Sequence, residues 1–149
     1  MKKLLILGAG TSGTMMANHL VKRLPKKEWQ ITIVDQEETH YYQPGFLFLP
    51  FDLYKSKHVK KSIAKYIPKG VELVNEKIDR IDKDNDQVLL QNGTAIDYNL
   101  LIIATGTNIA PQEIEGMLGD HWHQSVFDFY TFEGARNLRN KLRNWKGGK

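Results

Sequence analysis

Apolar positions along the chain change period several times, and each change marks an element. Leu4-Leu5-Ile6-Leu7 is a short continuous apolar run that reads as a buried strand. Glycine punctuation follows at once in Gly8-Ala9-Gly10-Thr11-Ser12-Gly13, which favours the strand over a helix fragment. Over 14–23, Met15, Met16, His19, Leu20 and then Leu24 recur at helical spacing, and Pro25 marks the stop. Gln30-Ile31-Thr32-Ile33-Val34 predicts a second strand with Asp35 at its carboxyl end. The stripe Val59, Ile63 and Ile67 predicts a short helix over 57–67, halted before Pro68-Lys69-Gly70. Val71-Glu72-Leu73-Val74 reads as a half-buried strand. Residues 77–81, 87–90 and 94–98 are short strands, with the hairpin signal Asn92-Gly93 between the last two. Leu100-Leu101-Ile102-Ile103 returns to a buried strand and runs into Ala104-Thr105-Gly106. From about residue 131, Phe132, Ala135, Leu138, Leu142 and Trp145 trace one helix face.

These elements predict an α/β fold: a Rossmann-like parallel sheet with a GxGxxG βαβ unit and an inserted antiparallel β-meander. A lone GxGxxG is weak, because glycine turns are common. Here it follows a strand, opens a helix, and is answered by an acid about 20 residues on, as a dinucleotide-binding unit requires. Gly8 permits the tight turn, Gly10 lets a pyrophosphate approach the backbone, and Gly13 lets the helix pack closely on the sheet. The helix directs free N–H groups and roughly half a positive charge at the phosphates. Asp35 would accept hydrogen bonds from an adenosine ribose and disfavours a 2′-phosphate, hence NADP.

A chain of 149 residues is one domain by size. Its 41% hydrophobic and 26% charged content is that of a soluble globular protein. No apolar run approaches the ~20 residues of a membrane span, and Leu4-Leu5-Ile6-Leu7 is too short for the core of a signal peptide. The expected location is cytoplasmic. The absence of cysteine excludes disulfides, thiolate metal sites and thiol redox chemistry carried by these residues.

The net charge of +4 is modest, but Lys55, Lys57, Lys60, Lys61, Lys65 and Lys69 crowd one segment. A nucleic-acid or membrane-surface patch would look like this. The buried stripe beneath favours the solvated face of a helix, and no nucleic-acid partner is expected. Between Asp35 and Lys55 lies a loop dense in aromatics, from His40, Tyr41 and Tyr42 through Phe46, Phe48 and Phe51 to Tyr54. It would leave the strand edge where α/β sheets bind ligands, offering apolar walls to a flat ring. An aromatic mini-core beneath a surface loop is the alternative. His121-Trp122-His123 lacks further ligands for a metal, and His40 and His58 read as polar surface groups. Asp79, Asp82, Asp84 and Asp86 flank a turn without the glycine and distal glutamate of a calcium loop. No metal site is expected, and no residue is named as catalytic.

With its parts in this order, the chain resembles the flavin domain of the two-dinucleotide-binding disulfide reductase superfamily. The resemblance is carried by the glycine loop, Asp35, the meander with its Asn92-Gly93 turn, and Tyr98-Asn99-Leu100-Leu101-Ile102-Ile103-Ala104-Thr105-Gly106. In that superfamily a Tyr-Asp-x-Leu-x-x-Ala-Thr-Gly segment closes the flavin domain; Asn99 stands here for the usual acid. Thr39-His40-Tyr41-Tyr42-Gln43-Pro44-Gly45 looks most like sulfide:quinone oxidoreductases and type II NADH:quinone dehydrogenases.

The resemblance implies an FAD-dependent oxidoreductase, with residues 1–149 as the FAD-binding, amino-terminal part of a larger enzyme. It implies a quinone acceptor and sulfide or NADH as donor; a module that binds NAD or FAD without turnover is the alternative. Gly8, Gly10, Thr11, Ser12 and Gly13 would form the pyrophosphate cradle, and Asp35 would take the ribose. The backbone near Lys77 and Ile78 would meet the adenine edge, Pro44 would lie beside the isoalloxazine, and Ala104, Thr105 and Gly106 would approach the flavin. Sulfide oxidation in that family runs through cysteines, one expected near Ser125-Val126-Phe127, where this chain has none. Gly147-Gly148-Lys149 resembles the run-up to a second dinucleotide domain. Peripheral contact with the inner face of a membrane and self-association through the face meant for that domain are the remaining expectations.

Overall fold

The computed structural model describes residues 1–148; Lys149, at the end of the run Gly147-Gly148-Lys149, lies outside them. The chain runs β1 (Lys2–Leu7), α1 (Thr11–Arg23), β2 (Trp29–Asp35), β3 (Thr39–Tyr41), α2 (Ser56–Val59) and β4 (Lys60–Ser62). It continues through β5 (Val71–Asn75), β6 (Ile78–Asp82), β7 (Gln87–Leu90), β8 (Ala95–Asp97), β9 (Leu100–Ile103) and α3 (Phe132–Asn144). Two compact units result: Met1–His40 with Ser62–Gly106, and Tyr41–Lys61 with Thr107–Lys149.

In the first unit, four parallel strands stand in the order β5-β2-β1-β9, with Leu7 opposite Val34 and Ile103 and with Asp35 opposite Asn75. Leu4, Leu5, Ile6 and Leu7 are all buried because both faces of β1 are covered. On one face, Leu4, Ile6, Ile31 and Ile33 pack with Ala17 and Leu20 of α1 and with Leu24 just past its end. On the other, Leu5, Leu7 and Val34 pack with Val88 and Leu90 of the meander. Each such side chain contributes about 2 kcal/mol on leaving water. The meander is the antiparallel set β6-β7-β8, turned at Gly93, whose φ of 86° favours glycine.

Helix α1 differs from its sequence pattern. It starts at Thr11, and its buried residues are Gly13, Thr14 and Ala17, while Met15 and Met16 are 55% and 36% exposed. Small residues at i and i+4 let the helix lie on the sheet, and that close approach decides which face turns inward. The helix expected over 57–67 does not form; α2, β4 and a 3-10 turn at Ile63–Lys65 take its place. Val59 and Ile63 are still buried and Ile67 is half-buried, but Val59 packs with Phe46 and Leu49 while Ile63 packs with Leu4 and Ile33. A continuous helix cannot serve two separate cores, so the chain extends between them. Strand β9 is also less buried than expected: it pairs with β1 on one side, and Leu100 and Ile103 are 48% and 63% exposed.

The second unit is built on Phe46, Leu49, Val59 and Ala135, bordered by Tyr54 and Phe132. The mini-core reading therefore holds for Phe46, whereas Tyr42, Phe48 and Phe51 are exposed. Pro44 lies in a 3-10 turn at Gln43–Leu47. Trp145, assigned to the apolar face of α3, lies past its end and is exposed.

The start of α3 is fastened by Asp128. Its carboxylate accepts the Thr131 N–H at 2.7 Å, and the Thr131 hydroxyl accepts the Gly134 N–H at 2.9 Å. His123 Nε2 lies 3.1 Å from the carboxylate, and Asn137 lies 3.1 Å from His123 Nδ1. Burial opposes the Asp128 charge, but the Thr131 N–H, His123 and the Thr131 hydroxyl outweigh it and hold the carboxyl below its usual value. A depressed carboxyl stabilises the fold fully above its unfolded pKa, about 4, and that stability is lost as pH falls through the folded value. Lowering the pH below about 4 is therefore expected to destabilise the protein less in Asp128→Asn than in wild type. Urea midpoints at neutral and acid pH would measure this; equal acid sensitivity in both proteins would refute it.

Candidate functional site

The glycine loop leaves β1 at the carboxyl edge of the parallel sheet. Gly8 has φ 95°, donates its N–H to the Val34 carbonyl at 2.7 Å, and leaves only 2.4 Å between a Cβ and the Ala104 carbonyl oxygen. A Cβ on Gly13 would stand 1.8 Å from the Gly8 oxygen. Gly10 differs from both: its φ is −68°, and nothing lies within 4 Å of where its Cβ would be. Local packing demands Gly8 and Gly13, whereas the fold leaves the space in front of Gly10 free.

Helix α1 begins behind that space with no side-chain cap and no acid in its first turn, and with Lys22 and Arg23 in its last. Among the described residues, the N–H groups of Thr11, Ser12 and Gly13 donate to nothing. Thr14 helps hold the loop by donating its hydroxyl to the Gly10 carbonyl at 2.8 Å. Unsatisfied donors at the positive end of a helix dipole form an anion site.

Asp35 does more than its sequence position suggested. One carboxylate oxygen accepts the Ala9 N–H at 2.6 Å and the other accepts the Glu37 N–H at 2.8 Å. His40 Nδ1 lies 3.3 Å from the Ala9 carbonyl, with its ring 4.5 Å from that of Tyr66. The N–H and the carbonyl of Ala9 are thus held by an acid and an imidazole respectively. Sequence reading missed both contacts. The signal for the first was present: pairing Leu7 with Val34 carries Ala9 beside Asp35. Each oxygen of Asp35 retains a lone pair for a hydroxyl.

Gly8, Asp35, Lys77, Ile78 and Thr105 line one cavity of about 220 Å³, with Val34 and Gln36. Five residues read from scattered motifs therefore share a wall. The Lys77 backbone is already engaged, its N–H with Glu76 at 2.9 Å and its carbonyl with the Gln91 N–H at 2.8 Å. Ala104 extends the β9 ladder by donating to the Leu7 carbonyl at 2.7 Å. Gly106 follows with φ 74° and open space around it. A larger cavity of about 290 Å³, lined by Lys3, Gln30, Thr32 and Glu72 among others, contains none of these residues.

Among the described residues there is no group of three metal-ligating side chains. His121 and His123 turn to different partners, Ser125 for the first and Asp128 for the second. Asp82 accepts the N–H groups of Asp84 and Asn85, a turn-forming role. No helix among the described residues is long and apolar enough to cross a membrane. Free donors, open space at Gly10 and a carboxylate beside a cavity together fit a dinucleotide.

Known proteins are similar to this chain in sequence and in fold. The mitochondrial sulfide:quinone oxidoreductase of Dictyostelium discoideum is 26% identical over 146 residues, covering 98% of this chain and 32% of the relative. The sulfide-quinone reductase of Aquifex aeolicus is 30% identical over 143 residues, covering 95% and 31%. The type II NADH:quinone oxidoreductase of Staphylococcus aureus is 28% identical over 149 residues, covering 99% and 37%. The crystal structure of the Aquifex aeolicus sulfide:quinone oxidoreductase superposes with a TM-score of 0.77 at 24% identity, over 96% of this chain and 32% of that one, and shows the fold. The chain spans about a third of the length of these relatives. The sequence pattern of the pyridine nucleotide-disulphide oxidoreductases runs from residue 2 to residue 145, and with the glycine loop, acid and meander standing in that order, the chain belongs to that family.

Proposed function

We propose that the chain is the FAD-binding portion of a flavoprotein that passes electrons to a quinone, of the sulfide:quinone oxidoreductase type. The observation that carries this reading is the cavity shared by Gly8, Asp35, Lys77, Ile78 and Thr105, next to the loop that opens at Gly10. The free N–H groups of Thr11, Ser12 and Gly13 receive the pyrophosphate at the bare end of α1. Asp35 accepts ribose hydroxyls with its remaining lone pairs and repels a 2′-phosphate. Lys77 and Ile78 border the adenine, while Ala104, Thr105 and Gly106 belong to the flavin end; for Pro44 the support is the family resemblance alone. A bound flavin supplies the electron transfer; the chain's own residues bind and orient it. None of the residues named here is assigned a proton transfer. The curated relatives carry the names of sulfide- and NADH-oxidising quinone reductases, which supports the acceptor.

A second reading, in which NADH is the donor, is favoured by one fact: these residues include no cysteine to carry sulfide sulfur. Absorption spectroscopy of the purified chain during titration with FAD, and separately with NAD, tests the shared core of both readings. Visible flavin bands that travel with the protein are the expected result. NAD uptake without flavin would overturn both. Anaerobic bleaching of those bands by NADH but not sulfide would select the second.

A further inference from the structure

We infer that the larger cavity of the first unit binds a small primary amine as its ammonium cation. The cavity, of about 290 Å³, opens on the meander face of the parallel sheet, near the amino ends of β1, β2 and β5. Its floor is apolar: Leu5 and Leu90 are buried, and Val74 and Ile96 are half-buried. A strand covered on both sides should be apolar at every position. Strand β2 breaks that rule on its meander face at Gln30 and Thr32, and obeys it again at Val34. A local rule broken without a return in packing points to a site.

Register sets Thr32 between Leu5 and Glu72. Thr32 is 7% exposed; its hydroxyl donates to Glu72 Oε2 at 3.2 Å and accepts nothing among the described residues. Gln30 donates its side-chain amide to the same oxygen at 3.3 Å. Among the described residues, Glu72 Oε1 takes no donor and the carboxylate has no basic partner. The lysine of the wall, Lys3, is held by Asp97 at 2.6 Å. Among the described residues of the wall, two acids stand against one lysine, and the surplus charge lies beside a buried oxygen with open lone pairs.

Chemistry narrows the occupant. An ammonium carries three donors and no acceptor, which answers Glu72 Oε1 and the Thr32 oxygen together. A metal ion lacks its ligand set, since no three metal-ligating side chains converge among the described residues. A quaternary ammonium has no N–H to give and meets no aromatic ring among the described residues of the wall. An anion would face both acids. The apolar floor takes a short alkyl chain. Among the described residues the cavity shares none with the one around Gly8 and Asp35. The inference therefore stands apart from the flavin reading, which the FAD titration tests separately.

The test is titration of the purified, isotope-labelled chain with n-butylammonium at neutral pH, followed by amide chemical shifts. Saturating shifts at Thr32, Glu72 and Ile96, half complete at about 1 mM, are expected. The same concentrations of n-butanol and of butyltrimethylammonium should produce none. Glu72→Gln should weaken binding about tenfold or more, and Thr32→Val about fivefold. Glu72 is exposed, and glutamine keeps an acceptor for Thr32 and Gln30, so the melting temperature of Glu72→Gln should not move. Glu28→Gln, on an exposed acid outside the wall, should change nothing. No saturation, equal shifts with n-butanol, unaltered binding in Glu72→Gln, or equal loss in Glu28→Gln would overturn the proposal. Tighter binding of Nα-acetyl-lysine methylamide would place the ammonium on a partner protein's lysine, and would overturn the free amine too.

Discussion

Gly10→Val is expected to abolish FAD uptake while costing the fold less than about 1 kcal/mol. The backbone at Gly10 has an ordinary φ of −68°, and a Cβ there would meet nothing within 4 Å. The only intrinsic penalty is a poorer residue at the start of α1. An isopropyl group would instead fill the space through which a phosphate reaches the Thr11 and Ser12 N–H groups. Losing two hydrogen bonds to a charged group costs about 3–6 kcal/mol, at least about a hundredfold in affinity. Titration followed by flavin fluorescence, beside a thermal melt, separates the two quantities. A variant that melts early yet still binds FAD would show that Gly10 serves the fold and that the pyrophosphate lies elsewhere.

Patterns that depend on near neighbours in sequence were the legible part of the fold. Four parallel strands and the meander stand where period and glycine punctuation put them, because a strand covered on both faces must be apolar throughout. What misled was periodicity without knowledge of the partner. Met15 and Met16 fit a helical stripe as well as Gly13 and Ala17 do, but only the small pair permits contact with Ile6 and Ile33. Val59 and Ile63 were rightly marked for burial, yet spacing cannot reveal that two buried residues serve different cores.

The site was legible in a similar, partial way. The glycine loop and Asp35 declare themselves because their spacing is set by local geometry. The convergence of Lys77, Ile78 and Thr105 on the same cavity follows from topology, and it was accessible only through resemblance. The grip of Asp35 and His40 on the Ala9 N–H and carbonyl was invisible, since a lone histidine five residues beyond a strand carries no signature. Asp35 therefore serves two demands, holding the loop and facing the cavity, and substitutions there would confound them. Glycine positions, by contrast, divide cleanly.

Gly13→Ala is expected to be the opposite of Gly10→Val, lowering stability by about 2–4 kcal/mol. The added methyl would stand 1.8 Å from the Gly8 carbonyl oxygen and 2.9 Å from its carbon, both backbone atoms. Gly8 cannot yield, because its N–H is tied to the Val34 carbonyl and its own α-carbon faces Ala104. Relief must come from lifting α1 off the sheet, which opens the contact between Ala17 and the Ile6 and Ile33 side chains. At this chain length such a loss is worth about 5–15 °C in the melting temperature. The better helix propensity of alanine, about 1 kcal/mol, recovers only part of it. Urea unfolding followed by helix signal gives the number directly. A Gly13→Ala protein as stable as wild type would mean that α1 lies farther from the loop than 1.8 Å implies. The free N–H groups at its start would then not point where a pyrophosphate is proposed to sit. The paired glycine variants thus test the fold and the site on independent readouts, because the same loop uses one glycine to close on itself and another to stay open.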